Sequence, residues 1–255
     1  LNPASFIFPA WDAPANIGAL ATTRMGGVST GVYGDGAGGG GLNLGGHVGD
    51  LADDVETNRL LLDGMLPAPP VWLNQVHGTT VVNAADTIAG QPADAIIATR
   101  PDLICAVQTA DCLPILLADR SGKAVGAAHG GWRGLAGGIV GNTVLGMRAA
   151  GAADIVAWLG PAIGPSAFEV GDDVRQAFCH LDGAMARAFR PIEMRPGKFL
   201  ADIYELARML LCAAGVHGIF GGEFCTVGDP RFYSFRRDRV TGRMASLIWI
   251  KSPGH

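Results

Sequence analysis

The sequence predicts an α+β domain. Short apolar runs alternate with longer amphipathic ones along the chain, which is how strands and helices read. At least one pair of apolar runs is joined by a tight turn, as in an antiparallel hairpin, so the pattern is not a strict βαβ repeat. The composition argues for a single domain over residues 1–255. Hydrophobic residues make up 49% of the chain and charged residues only 16%, against roughly 25% charged in ordinary soluble domains. A low charge share suits one large core with little surface per residue. No Pro/Ser linker, run of one charge sign or internal repeat divides the sequence.

Taken in order, apolar and β-branched runs bounded by Gly, Pro, Asn or Asp predict strands over 71–76, 79–83, 93–98, 103–108, 113–118, 123–128, 155–159, 232–235 and 244–250. The stretch LPILLADRSGKAVGAA reads as a hairpin turning at Arg120–Gly122, and a second hairpin is expected around Val240–Gly242. Helices are expected from Asp53 to about Met65 and over 135–149, 172–188 and 202–214. Asp53 and Glu56 form a capping-box pattern at the start of the first. Gly215 is the expected stop of the last, because glycine readily takes the left-handed backbone that ends a helix. The chain holds 38 glycines in 255 residues, roughly twice the ~7% average. They fall in bursts at the ends of apolar runs, except for GDGAGGGG (34–41), which reads as a flexible loop.

Charge excludes some functions. The net charge is −4, from 19 basic and 23 acidic residues, and no basic stripe marks a nucleic-acid partner. Arg236, Arg237, Arg239 and Arg243 are the nearest thing to a basic cluster. No apolar run approaches the ~18 residues of a membrane span. The start of the chain, with Pro3, Pro9, Asp12 and Pro14 and no basic segment, does not read as a secretory signal. Five cysteines, an odd number without CxxC pairs, fit free thiols in a reducing compartment, so no disulfides and a cytoplasmic location are expected.

Three places share one layout, an apolar strand followed by a metal-capable residue and turn residues. They are VWLNQVHG (His77), LICAVQTADCLP (Cys112) and AVGAAHGGWRG (His129). A single histidine at a strand end is usually just hydrogen-bonded. Two histidines and a cysteine are another matter, because they supply the nitrogen and sulfur ligands zinc prefers. Three protein ligands with a fourth position open is the pattern of catalytic zinc. The same residues also suit a cysteine nucleophile, Cys112 with His77 or His129 as base and Asp111 or Gln75 nearby. Both readings require a depressed thiol pKa. In HGGWRG, a glycine-rich turn before a helix can receive phosphate on free amides, with Arg133 adding charge. RRDRVTGR is either a solvated hairpin or an oxyanion clamp. GxSxG, P-loop, GxGxxG and HExxH motifs do not occur.

TTRMGGVSTGVY (22–33), LNLGGHVGD (42–50), NQVHG (74–78), TADCLPILLAD (109–119), AAHGGWRGLAGGIV (127–140), GPAIGPSAFEVG (160–171) and FYSFRRDRVTGRMASLIWI (232–250) resemble, in order, the blocks of the YfiH/laccase-domain family. This family is also called multicopper polyphenol oxidase or purine nucleoside phosphorylase. The resemblance spans nearly the whole chain. It implies a cytoplasmic protein of mixed β-sheets flanked by helices, a YfiH-like fold similar to that of a toxin class with cysteine–histidine chemistry. It implies Zn²⁺ on His77, Cys112 and His129, with copper able to enter in vitro, and these three as the catalytic centre. The implied activity is phosphorolysis of adenosine, inosine, guanosine and methylthioadenosine with phosphate, together with deamination of adenosine at the same site. Arg24, Asn43, Arg133 and Arg236 are the implied substrate contacts. One departure is the insertion at 34–41, beside Arg24 and Asn43, where the family has only a residue or two.

Other activities attached to the family are laccase-like oxidation of phenols and amide hydrolysis that edits peptidoglycan precursors. A laccase stores four electrons on several coppers, which takes many histidines. This chain has six, at 47, 77, 129, 180, 217 and 255, and no His-x-His pair. One zinc ion instead supplies Lewis-acid chemistry and activates water near neutral pH. A metal-binding protein without turnover is the non-enzymatic alternative.

Overall fold

A computed structural model describes residues 1–2 and 5–252. Pro3 and His255 lie outside the described residues. The architecture is α+β, with mixed sheets flanked by helices. One five-stranded sheet runs in the order Phe6–Ile7, Ile17–Thr22, Met244–Ile250, Ile104–Thr109, Pro70–Val71. A six-stranded sheet runs Gly218–Gly221, Ile155–Leu159, Leu113–Asp119, Val125–Gly130, Ala95–Ala98, Val81–Asn83. Both are antiparallel in the middle. The first ends in one parallel pair, Pro70–Val71 on Ile104–Thr109, and the second in two, Val81–Asn83 on Ala95–Ala98 and Gly218–Gly221 on Ile155–Leu159. A small antiparallel sheet of Glu169–Gly171, Lys198–Ala201 and Phe189–Pro191 lies apart.

The strand Leu113–Asp119 explains the layering. All seven residues are buried, so the run is apolar throughout because both of its faces are covered. Leu116 and Ala118 pack with Val107, Cys105 and Ile248 of the five-stranded sheet. Ile115 and Leu117 point the other way, into a cluster with Val144 and Met147 of helix Ile139–Ala149 and Leu206 and Leu211 of helix Ile203–Ala213. The far side of the five-stranded sheet, with Leu20, Ile104 and Leu247, is covered by Leu42, Leu44 and Leu62.

The hairpin turning at 120–122 forms, with Leu113 opposite Gly130 and Pro114 opposite His129. Helix Ile203–Ala213 begins on the Asp202 carboxylate, which accepts from the N–H groups of Tyr204 and Glu205, and Gly215 follows it at φ +78°. Other expectations need correction. The first helix is Ala52–Asp63, entered from Leu51 without a side-chain cap. Asp53 therefore lies inside the first turn, where it favours the helix dipole but cannot cap. The helix expected over 135–149 is broken by Gly138 at φ +103° into Trp132–Gly137 and Ile139–Ala149. That expected over 172–188 ends at Cys179, because Asp182 turns its carboxylate to the Ala184 N–H and starts a separate 3₁₀ segment, Gly183–Ala188. Residues 232–235 are not a strand. Phe232 and Tyr233 are buried in a loop, and Ser234 caps a short helix, Phe235–Asp238. The hairpin expected at 240–242 is absent too, because the Arg243 N–H goes to the Asn43 side chain and not to a partner strand. Of the strand expected over 71–76 only Pro70–Val71 pairs regularly, with an isolated bridge from Asn74 to Pro92. The tract 34–41 is closed by Asp35, whose carboxylate accepts from the Ala37 and Gly39 N–H groups.

All five cysteines are free thiols. Among the described residues no helix is long and apolar enough to cross a membrane.

Candidate metal centre

The three expected ligands come from three different places in the sheets. His129 lies in strand Val125–Gly130 of the six-stranded sheet. Cys112 sits where the chain leaves Ile104–Thr109 of one sheet and enters Leu113–Asp119 of the other. His77 stands in the turn between Pro70–Val71 and Val81–Asn83, two edge strands on different sheets. Both crossings bend sharply. His77 has φ +58° and Asp111 φ +91°, backbone states that cost a non-glycine residue of order 1–3 kcal/mol and persist only when surroundings enforce them.

The enforcing groups are two carboxylates. Asp94, fully buried at the start of Ala95–Ala98, accepts from the backbone N–H groups of Val76 (3.2 Å), His77 (2.9 Å) and Gly78 (2.6 Å). It also lies 2.8 Å from Nδ1 of His129. A carboxylate only accepts, so Nδ1 carries a proton, which leaves Nε2 as the nitrogen that would give up its own proton to a metal. Asp111 plays the matching part beside Cys112. Its carboxylate accepts from Thr226 Oγ1 and from the Arg236 N–H, both at 2.6 Å, and its carbonyl from the Ile163 N–H at 2.9 Å.

The ligand atoms of His77, Cys112 and His129 all lie within 4.8 Å of one another. Cys112 Sγ is 3.8 Å from His77 Nε2, and the two imidazoles meet edge to face with centroids 4.7 Å apart. Gly131 leaves room for this. A Cβ there would come within 2.7 Å of His77 Cδ2 and 3.4 Å of Cys112 Sγ. Burial works against a Cys112 thiolate, but the imidazoles of His129 and His77 outweigh it and hold the thiol down at about 6. Burial likewise opposes protonation of His129, yet the Cys112 thiolate and Asp94 raise it to about 9. For Asp94, burial is outweighed by the bonds from His129 and the backbone, so its carboxyl lies below the ordinary range.

These residues fit a zinc ion. Two imidazole nitrogens and a thiolate converge, one imidazole is oriented by a carboxylate, and the group faces open space, as a catalytic site requires. Two cavities of about 260 Å³ each share a wall made by His77, Ala110, Cys112 and Phe235. One also contains His129, Gln75, His47 and Arg243. The other contains Asp111, Trp132, Phe168, Arg133 and Arg236. A separate groove of about 810 Å³, between residues 135–141 and 208–214, includes none of the three ligands.

The expected substrate contacts divide. Arg133 lines the second cavity, with its guanidinium 4.4 Å over the Trp132 ring. Arg236 lines it as well, while donating to the Ala167 and Glu169 carbonyls. Asn43 is wholly buried and touches neither cavity. Its Oδ1 accepts from the Arg243 and Gly45 N–H groups, and its Nδ2 donates to Asp50. Arg24 lies against the inserted loop, donating to the Gly34 carbonyl and stacking 4.8 Å over Tyr233, in another cavity. Sequence reasoning missed Asp94, and it passed over Arg243 as one of four surface arginines. Asp94 left one signal, a carboxylate at the head of a wholly apolar strand, which must be paired if buried.

Against known proteins, residues 18–251 match the family described as multi-copper polyphenol oxidoreductase laccase. "Purine nucleoside phosphorylase YfiH" of Escherichia coli is 48% identical over 248 residues, covering 96% of this chain and 98% of that protein. "Purine nucleoside phosphorylase" of Haemophilus influenzae is 44% identical, covering 96% and 99%. A crystal structure of a Neisseria meningitidis protein, 49% identical, superposes with a TM-score of 0.90 over 97% of this chain and 100% of that one. YlmD from Geobacillus stearothermophilus, 35% identical, gives 0.80 over 93% of each chain.

Proposed function

The chain belongs to the multi-copper polyphenol oxidoreductase laccase family, and on that premise we propose that it is a zinc-dependent purine nucleoside phosphorylase. Adenosine, inosine, guanosine and methylthioadenosine are its substrates with inorganic phosphate, and adenosine is also deaminated by water at the same site. The observation that carries this reading is the convergence of His77, Cys112 and His129 within 4.8 Å of one another, where two cavities meet at His77 and Cys112, in a chain so similar to proteins named purine nucleoside phosphorylase. The five free thiols support a reducing compartment, the cytoplasm.

His77, Cys112 and His129 would hold the zinc ion, which when bound would supply Lewis-acid chemistry and lower the pKa of a water molecule. The chain supplies the rest. Asp94 fixes the His129 tautomer and the turn that carries His77, so two ligands are held by one group. Trp132, Phe168 and Phe235 offer apolar rings to a purine, and Arg133 and Arg236 stand at the same cavity as substrate contacts. Asn43 acts indirectly, through the Arg243 backbone, and Arg24 through the loop that begins at Gly34. In phosphorolysis the bond from C1′ to the base nitrogen breaks and its electron pair leaves on the base, which takes up a proton. A phosphate oxygen forms the new bond to C1′.

The donor set does not suit a laccase. Among the described residues, His77, Cys112 and His129 are the one group of three or more His, Cys, Asp or Glu able to share an ion, whereas oxygen reduction needs several coppers. A second reading, a cysteine-dependent amidohydrolase acting on peptidoglycan precursors, draws on the low Cys112 pKa beside His129. Incubating the zinc-loaded protein with a nucleoside panel, with and without phosphate, decides between them. Base release that requires phosphate is expected. Amide hydrolysis without it selects the second reading, and zinc uptake without any product leaves a metal-binding protein.

A further inference from the structure

The arginines near the end of the chain differ in what they hold. Arg236 donates to two carbonyls, and Arg237 pairs with Asp238 through Nε and Nη2. Arg243 is half-buried in the cavity that contains His129. Its Nη1 donates to the Thr241 and Gly242 carbonyls, at 3.1 and 3.0 Å. Among the described residues its Nε and Nη2 meet no acceptor, and it makes no ion pair.

The cation is nevertheless held in place. Its N–H donates to Asn43 Oδ1 at 2.8 Å, and its carbonyl accepts from the Leu44 N–H at 3.1 Å. Its stem lies on Gly45, where a Cβ would come within 2.7 Å of Arg243 Cγ. Cys112 and Asp111 attract it from a distance, but burial outweighs them and neither reaches its free donors, so a fixed, half-buried guanidinium with open Nε and Nη2 is prepared for an anion. The fork of an arginine suits the paired oxygens of a phosphate. His47 lines the same cavity. Burial first, then the charges of Arg243 and Arg59, hold its pKa below the ordinary value, so it is a neutral donor near pH 7. The cavity across the shared wall is of the opposite kind, carrying the rings of Trp132 and Phe168.

We infer that the two cavities divide the substrates, with inorganic phosphate on Arg243 and His47 in one and the purine base against Trp132 and Phe168 in the other. The inference rests on the phosphorylase reading and deepens it. The ribose then spans the wall of His77 and Cys112. Phosphate gives an oxygen lone pair to C1′ from the Arg243 side, and the base leaves with the glycosidic electron pair into the aromatic cavity, where it is protonated. The products are the sugar 1-phosphate (ribose 1-phosphate, or its 5-methylthio counterpart from methylthioadenosine) and free base, with no change of oxidation state.

The test compares zinc-loaded wild type with Arg243→Gln, Arg243→Lys and Trp132→Leu. It measures the KM for phosphate and for nucleoside separately, and titrates inorganic phosphate alone by ³¹P line broadening. Arg243→Gln is expected to raise the phosphate KM about tenfold or more, the loss of a charge-assisted bond, and to leave the nucleoside KM within about twofold. Arg243→Lys, which keeps the charge and loses the fork, falls between, and guards against a misfolded glutamine variant. Trp132→Leu is expected to do the reverse, raising the nucleoside KM alone. An unchanged phosphate KM in folded, zinc-replete Arg243→Gln overturns the inference, as does a rise confined to the nucleoside KM. If the wild type releases no base, the phosphorylase reading fails while the titration still decides the subsite. Saturable phosphate binding lost in Arg243→Gln upholds it, and binding that is absent from the wild type or equal in both proteins overturns it.

Discussion

Asp94 lies 2.8 Å from Nδ1 of His129, and through the N–H groups of residues 76–78 the same carboxylate fixes the turn that presents His77. One buried acid thus orders two of the three candidate ligands, which are 52 residues apart in the sequence (129 − 77). Asp94→Asn is expected to weaken zinc binding roughly 10- to 100-fold, the usual effect of disturbing a partner of a metal-bound histidine. Competition against a chelator of known affinity measures it. An affinity equal to wild type would reduce Asp94 to a fold residue.

Gly131 tests the packing of the same centre. Its backbone, at φ −65° and ψ 151°, is open to any residue. Any effect of Gly131→Ala is therefore steric, from the Cβ that would press on His77 at 2.7 Å. Zinc affinity should fall roughly tenfold. Gly141→Ala is the control, since nothing lies within 4 Å of a Cβ there, and within helix Ile139–Ala149 it should stabilise by about 0.5–1 kcal/mol. Equal zinc affinity in the two variants would mean that the turn yields to the added methyl.

Away from the site, Asp119 gives the fold an acid dependence. It is buried at the hairpin end and accepts from Ser121 Oγ and the Ala153 and Asp154 N–H groups. Burial pushes its pKa up, but these bonds outweigh burial and hold it below the ordinary carboxylate value. Its stabilisation is therefore complete above about pH 3.9, the unfolded value, and is lost as pH falls through the lower folded value. Asp119→Asn should cost about 1–3 kcal/mol near neutrality and lose less stability than wild type as pH falls from about 4 to about 2, below the unfolded value. Denaturant midpoints across that range measure both, and parallel curves would contradict the assignment.

The parts of the fold legible in the sequence are those whose signal is local. The hairpin 113–128 is two adjacent apolar runs with a turn at Gly122, which adopts φ +73°. Cys112 and the two histidines each stand at the end of such a run. Strand Ile17–Thr22 went unread because IGALAT holds glycine and alanine where β-branched residues usually mark a strand. Its place is set by a partner far away, Ser246 opposite Ala21. Phe232 and Tyr233 misled for the converse reason, since an aromatic run looks like a strand until Ser234 caps a helix behind it. Asp94 and Arg243 depend on contacts 35 and 200 residues distant, which no local pattern carries.

The most direct test is Cys112→Ala, assayed at once for zinc per chain and for phosphate-dependent base release. If one ion on His77, Cys112 and His129 serves the reaction, zinc and turnover should be lost together. Losing several kcal/mol of Lewis-acid stabilisation means a fall in rate of roughly a thousandfold or more, at about 1.4 kcal/mol per tenfold. Cys112→Asp, which can still ligate zinc, should keep the metal and part of the rate. Full nucleoside turnover in Cys112→Ala would contradict the assignment of this centre.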